Sequence, residues 1–431
     1  MPIRTLCFSV ALLFAPVLLF SQLYFPPVVG NTWETATPAS LGWNTARIQP
    51  LYDFLQGENT KAFIVLKDGK IVLEQYFGTF TADSLWYWAS AGKTVTAFLT
   101  GKAQEEGKLN ISDRTSKYLG SGWTSLAPEK ENLITIRHQL TMTTGLNDKG
   151  GNPDCTNDSC LKYLADAGTR WAYHNAPYTL LEKVVSTATG LTYNQYTRQK
   201  LLTPTGMNGT WLPVEDNNVF FSRPRSMARF GLLMLNNGVW DKTTVLADTQ
   251  YIRAMTTTSQ DLNKSYGYLW WLGGQESHML PTLQMVFPGS YAPNAPADMV
   301  SALGKNGQIL SISKSTGLVI IRMGDRPNSP SSEIATLLCD QIWQRLNEIT
   351  GTASSVDGGT QQQPLVYPNP ATTTLLFSGE MQNATIYDVT GNAVWSGMIG
   401  GGVAIDCSSW ASGMYAVRSN ARITTTIQIL R

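Results

Sequence analysis

Apolar and polar residues alternate over positions 62–77 around Asp68-Gly69, the pattern of two half-buried strands joined by a tight hairpin turn. Over 89–106 the period changes. Apolar residues recur at helical spacing and stop at Gly107, and 177–188 before Gly190 and 226–235 before Gly238 behave alike. Positions 299–323 return to strand-like runs, broken at Gly304, Gly307 and Thr316-Gly317. Strands at both ends with helices between predict an α/β (α+β) architecture: an antiparallel sheet whose first and last strands meet, flanked by helices, plus a helical subdomain. Positions 351–363 (GTASSVDGGTQQQ) have no apolar period and read as a flexible linker. Beyond it, 364–431 shows short strands between Gly, Asn and Ser turns, which predicts a small all-β sandwich.

The chain opens differently. Arg4 precedes an apolar run over 6–20, then Ser21-Gln22 and the turn formers Pro26-Pro27, so 1–22 reads as a secretory signal peptide. The run is shorter than the roughly 20 residues that span a bilayer, and no other stretch reads as a transmembrane segment. Residues 32–350 are then expected to form one large domain. Export into an oxidising compartment predicts a disulfide between Cys155 and Cys160, which flank a short polar loop.

Composition narrows the function classes. Lys and Arg number 32 against 31 Asp and Glu, a formal charge of +1, so there is no summed field to draw a phosphate backbone, and nucleic acid is not expected as a partner. His138, His174 and His278 stand far apart, and the five cysteines form no Cys-x-x-Cys pair. No metal and no cofactor is expected, and His138 and His174 read as structural. Trp86, Trp88, Trp270 and Trp271 read first as core packing and second as walls of an apolar cleft.

The candidate chemistry concentrates at Ser90-Ala91-Gly92-Lys93. Positions i and i+3 of a helix share a face, so a hydroxyl and an amine at this spacing meet, and a serine so placed is a candidate nucleophile. The spacing recurs at Ser159/Lys162 and Ser311/Lys314. Ser311 lies in an alternating run, where i and i+3 point to opposite faces of a strand, and Ser159 lies in the expected disulfide loop. Only Ser90 opens a long amphipathic helix, where its N–H can serve as an oxyanion donor. Gly92-Lys93-Thr94 also matches the end of a phosphate-binding loop, but that motif needs glycine at 87, where Tyr87 stands. Tyr173-His174-Asn175 and Lys305-Asn306-Gly307 follow in chain order, the first expected in a loop and the second in a strand region.

In this ordered set the chain resembles the serine β-lactamase and penicillin-recognising hydrolase superfamily, and its Tyr-x-Asn element is similar to that of the class C branch with its esterase and D-peptidase relatives. The flanking text at 133–146 (LITIRHQLTMTTGL) and 173–181 (YHNAPYTLL) is similar as well. The resemblance spans about 33–349. It implies a β-lactamase/DD-peptidase-like fold and an acyl-enzyme mechanism on a small ester, amide or peptide-like substrate. By position, Ser90 would be the nucleophile, Lys93 and Tyr173 the proton carriers, and Asn175 the residue that orients the lysine and a substrate amide. Lys305 would meet a substrate carboxylate, and the N–H groups of Ser90 and of Gln308, after Gly307, would form the oxyanion hole.

A free lysine has a pKa near ~10.4, so a ready base at neutral pH requires its neighbours; the Lys93/Tyr173 pair titrates together, and which member takes the Ser90 proton stays open. A β-lactamase or D-peptidase proper is one alternative, and a catalytically silent surface binding protein that keeps the fold is another.

The tail carries its own resemblance. VYPNP at 366–370, ATIYDVTGNAV at 384–394 and GMY at 413–415 resemble the C-terminal sorting domain of the bacterial type IX secretion system. That implies the secretion machinery as a partner and a place outside the outer membrane, secreted or on the cell surface.

Overall fold

Residues 23–329, 334–351, 366–367, 371–377, 381–399, 404–419 and 422–430 are described by the computed structural model of the chain. The expected signal segment at 1–22 and positions 352–363 of the expected linker lie outside the described residues.

Among them a six-stranded antiparallel sheet forms the centre. Its strands are β1 (Thr60–Lys67), β2 (Lys70–Tyr76), β3 (Trp271–Leu272), β4 (Val300–Gly304), β5 (Gln308–Ser313) and β6 (Leu318–Gly324), in the order β2-β1-β6-β5-β4-β3. The first hairpin turns at Asp68 (φ 50°) and Gly69 (φ 87°), the two positive φ angles that a two-residue turn of this twist needs. β1 pairs with the last strand, Ile64 opposite Ile321 and Leu66 opposite Val319, so the first and last strands meet as the apolar pattern predicts.

β6 (LVIIRMG) is buried at every position because helices cover both faces of the sheet. The helices that matter for the site are α1 (Ile48–Gly57), α2 (Lys93–Glu105), α3 (Asn175–Thr179), α4 (Leu181–Thr189), α5 (Pro224–Leu235) and α6 (Thr336–Thr350). On one face, α5 approaches at Gly231, where a Cβ would lie 2.4 Å from Val319 Cγ1 and 2.8 Å from Leu310 Cδ1. On the other, Cys339 Sγ of α6 lies 3.5 Å from Ser311 Oγ. Neighbouring strand residues thus serve opposite layers.

Two expectations shift. The helix expected over 177–188 is interrupted at Leu180 into α3 and α4, and α2 is buried almost all round rather than amphipathic. The reason for the second is its position between layers: Phe98 packs edge-on against Phe230 of α5, while Thr96 receives a 3.0 Å hydrogen bond from Tyr193 Oη on the helical side.

The described tail strands form two small sheets, of three and four strands, around a shared core that includes Leu375, Phe377, Ile386, Val417 and Ile427.

Candidate active site

Ser90 lies on a 3-10 turn, Ala89–Gly92, that runs into α2 at Lys93, rather than in the α-helix itself. With three residues per turn, i and i+3 still share a face. The turn hangs from Trp88, which is fully buried, donates from Nε1 to Ser222 Oγ at 2.8 Å and from its N–H to Phe220 O at 2.8 Å, and accepts from the Ala91 N–H at 3.0 Å. Ala89 is held left-handed at φ 47°, a conformation costing on the order of 1–3 kcal/mol for a residue with a Cβ, and it persists here because its neighbours are pinned.

Lys93 is 2% exposed. Its Nζ donates to Ser90 Oγ at 2.9 Å and to Asn175 Oδ1 at 2.8 Å, and lies 4.0 Å from the ring centroid of Tyr178 and 4.9 Å from that of Tyr173. Tyr173 is half-buried just before α3, its ring stacked on Trp271 of β3 at 5.8 Å and edge-on to Tyr266. Asn175, the first residue of α3, donates from Nδ2 to Asp154 Oδ1 at 2.7 Å. The chain thus converges Ser90, Lys93, Tyr173 and Asn175 on one small volume walled by aromatic rings.

The third segment differs from its expected placement. Lys305-Asn306-Gly307 is a 3-10 turn between β4 and β5, not strand, and the Lys305 side chain is exposed at its rim. Asn306, left-handed at φ 61°, donates from Nδ2 to Tyr87 Oη at 2.8 Å. Gly307 faces away from the nucleophile: a Cβ there would meet Arg322 Nη1 at 2.5 Å and Leu338 Cδ2 at 3.0 Å. The glycine that stands against the nucleophile turn is Gly304, whose Cβ would lie 2.5 Å from Trp88 O and 2.9 Å from Ala91 N. Gln308 is fully buried, and its side-chain amide is committed to Gly324, donating to the carbonyl at 2.7 Å and accepting from the N–H at 3.1 Å.

Several residues around the site escaped the sequence reading. Arg322 is fully buried in β6; burial lowers its basicity to about 10, which leaves it a cation, and its Nη1 donates to Asn306 O at 2.6 Å and Gly307 O at 2.8 Å. A lone charge inside the apolar run LVIIRMG was its signal. Glu182 of α4 is 9% exposed, and burial pushes its carboxyl up to about 8. Asp154 sits beside the Cys155–Cys160 disulfide, which the structure closes at a sulfur separation of 2.03 Å. His174, 4% exposed, is pushed down to about 4 by burial and so is neutral at pH 7, while His138 Nδ1 receives the Thr135 N–H in a helix capping box. Trp88, Trp270 and Trp271 are buried, and Trp86 is half-buried. Among the described residues no group of three His, Cys, Asp or Glu side chains could hold a metal ion, and no helix is long and apolar enough to cross a membrane.

The family model described as beta-lactamase matches residues 56–338, and that of the secretion system C-terminal sorting domain matches 365–430. The chain is 28% identical over 160 residues to the candidate penicillin-binding protein PbpX of Bacillus subtilis, covering 33% of this chain and 39% of that protein. It is 28% identical over 148 residues to a beta-lactamase of Escherichia coli, covering 32% and 38%. The chain therefore spans under half the length of these relatives. Among solved structures, a candidate 6-aminohexanoate-dimer hydrolase from Bacillus anthracis superposes with a TM-score of 0.56 at 19% identity, over 76% of this chain and 89% of that one, which is a likeness of fold.

Proposed function

Because the chain belongs to the beta-lactamase family, we propose that it is a serine hydrolase that cleaves a small ester or amide through an acyl-enzyme on Ser90. The observation that carries this reading is the 2.9 Å contact between Ser90 Oγ and the Nζ of Lys93, a lysine only 2% exposed. In the proposed cycle the Lys93/Tyr173 pair takes the Ser90 proton as Oγ bonds to the substrate carbonyl carbon. The pair returns that proton to the departing alcohol or amine, and water then hydrolyses the acyl group through the same two residues. The developing oxyanion is received by the Ser90 N–H and, in place of that of Gln308, by the N–H of Lys305. It is Gly304, immediately before Lys305, whose lack of a side chain lets the sheet edge close on the nucleophile turn.

The sorting domain at 365–430 directs the protein by type IX secretion to the cell surface or the medium. This location favours an esterase or amidase over a dedicated β-lactamase, since a resistance enzyme has to intercept its drug before the drug reaches the cell wall. A β-lactamase or D-peptidase proper is the second reading, favoured by the exposed Lys305 ammonium on the turn that follows Gly304.

Covalent labelling tests the first step. A fluorophosphonate or a fluorescent penicillin is expected to modify Ser90 alone, as read by mass spectrometry of the labelled peptide. Equal labelling of a Ser90→Ala variant would remove the enzymatic reading.

Lys305 separates the two substrate classes. If its ammonium pairs with a substrate carboxylate, the contact exists in ground and transition state alike, so Lys305→Ala should mainly raise KM for anionic substrates, by about ten- to a hundredfold. A neutral ester should be turned over almost as before, which also controls for damage to the fold. Equal losses on both substrates would mean that Lys305 supports the turn and meets no carboxylate.

A further inference from the structure

Asn175 can aid catalysis only if its amide is the right way round. Lys93 Nζ is a donor, so the Asn175 group facing it must be the carbonyl oxygen; with the amide reversed, two donors would confront each other in a buried pocket. Nothing in an asparagine itself selects that orientation, because oxygen and nitrogen have nearly the same size. The selection comes from the far side. Asp154 Oδ1 accepts from Asn175 Nδ2 at 2.7 Å, and an ionised carboxylate only accepts, so it can pair with the NH2 end and not with the carbonyl end.

Asp154 is itself held in place. Its N–H donates to Asn152 Oδ1 at 3.0 Å, the Cys155 N–H donates to Asn152 O at 3.2 Å, and Asn152 Nδ2 reaches Asp216 Oδ2 at 2.5 Å. The Ala176 N–H donates to Pro153 O at 3.0 Å, which ties the loop to the first turn of α3 beside Asn175. The disulfide from Cys155, the next residue, to Cys160 then closes the loop.

We propose that Asp154 is a positioning residue for the hydrolase: carried on the disulfide-closed loop, it fixes the Asn175 amide so that Oδ1 holds Lys93 in register with Ser90. The sequence Asp154 to Asn175 to Lys93 to Ser90 is an unbroken run of hydrogen bonds at 2.7, 2.8 and 2.9 Å. Asp154 touches neither nucleophile nor base. It leaves the second Nδ2 hydrogen of Asn175 for a substrate carbonyl. This inference rests on the Ser90 acyl-enzyme reading.

The test is kcat per active site, with sites counted by fluorophosphonate titration so that misfolded protein does not enter. Asp154→Ala is expected to lower kcat about ten- to a hundredfold for neutral and anionic esters alike, with KM changed less than threefold. Asp154→Asn keeps the shape but can present either end of its amide to Asn175, so it no longer selects the orientation and should lose nearly as much kcat as Asp154→Ala. Opening the loop with Cys155→Ser and Cys160→Ser should lower kcat in the wild-type background and have no further effect in Asp154→Ala, because both act through one carboxylate. Unchanged kcat per titrated site in Asp154→Ala, near-wild-type kcat in Asp154→Asn, or additive losses on opening the loop would each overturn the proposal. If wild-type protein shows no Ser90 titration at all, the acyl-enzyme reading fails first, and that outcome is visible before any variant is made.

Discussion

Replacing Lys93 by alanine is expected to lower kcat about a thousandfold, equally for a neutral ester and for a carboxylate-bearing one, because a positioned proton carrier contributes on the order of 10^2 to 10^4. Lys93 is buried, and its Nζ lies within hydrogen-bond distance of both Ser90 Oγ and Asn175 Oδ1, so alanine removes the group that bridges them. KM should move little, since the amine faces the nucleophile. Residues that act as a unit are not additive: the double variant Ser90→Ala, Lys93→Ala should be no slower than Ser90→Ala alone. Stopped-flow acylation with a chromogenic ester reads the step directly. A Lys93→Ala enzyme that acylates within tenfold of the wild type would show that the proton leaves Ser90 by another route. Removing a buried amine also leaves a void against Tyr178, so the melting temperature of each variant belongs beside its rate.

The second large effect is on stability. The Glu182 carboxyl is buried among Tyr178, Tyr193 and Asn218, and among the described residues only its Oε2 is satisfied, by Asn218 Nδ2. Burial raises its folded-state pKa to about 8 from an ordinary value of 4.5. Between those two values the folded chain holds a proton that the unfolded chain has lost. Stability from this group is therefore full below about pH 4.5 and falls as pH rises, by up to about 1.4 kcal/mol per pH unit, until the folded carboxyl ionises near 8. Glu182→Gln keeps the shape and removes the titration. At pH 9 the variant should exceed the wild type by on the order of 4 kcal/mol, and the gap should shrink as the pH approaches 5. Urea unfolding at a series of pH values measures this; parallel curves for the two proteins from pH 5 to 9 would refute it. His174 runs the other way: its pKa of about 4 lies below the ordinary 6.5, so its contribution is lost as pH falls through that window. The protein should accordingly be most stable in a band bounded by His174 on the acid side and Glu182 on the alkaline side.

The two effects illustrate how different kinds of information reach the site. Ser90 and Lys93 are three positions apart, so their meeting is a local property that holds for a 3-10 turn as well as for the α-helix expected there. The hairpin at Asp68-Gly69, the strand breaks at Gly304 and Thr316-Gly317, and the pairing of the first strand with the last follow from period and punctuation in the same way. The sorting tail is written in short motifs that need no fold to be read.

What the chain did not reveal in one dimension is everything fixed by contact between distant segments. Glu182 on an amphipathic helix reads as a solvated charge, and only its enclosure by Tyr178, Tyr193 and Asn218 buries it. Asp154 is one polar residue in a polar loop until the fold brings it 2.7 Å from Asn175, 21 positions on. Gly304 and Gly307 are three residues apart, and the resemblance points to Gly307, with Gly304 read only as a strand break. The pleat and the turn of the β4–β5 hairpin decide between them, sending the first toward Trp88 O and the second toward Arg322. By itself, then, the sequence determined the elements, the order of the chemical groups and the destination of the protein, because these depend on local periodicity and short-range motifs. The tertiary structure alone decided which charges lose their water and which backbone faces Ser90, because desolvation and approach depend on segments that are far apart along the chain.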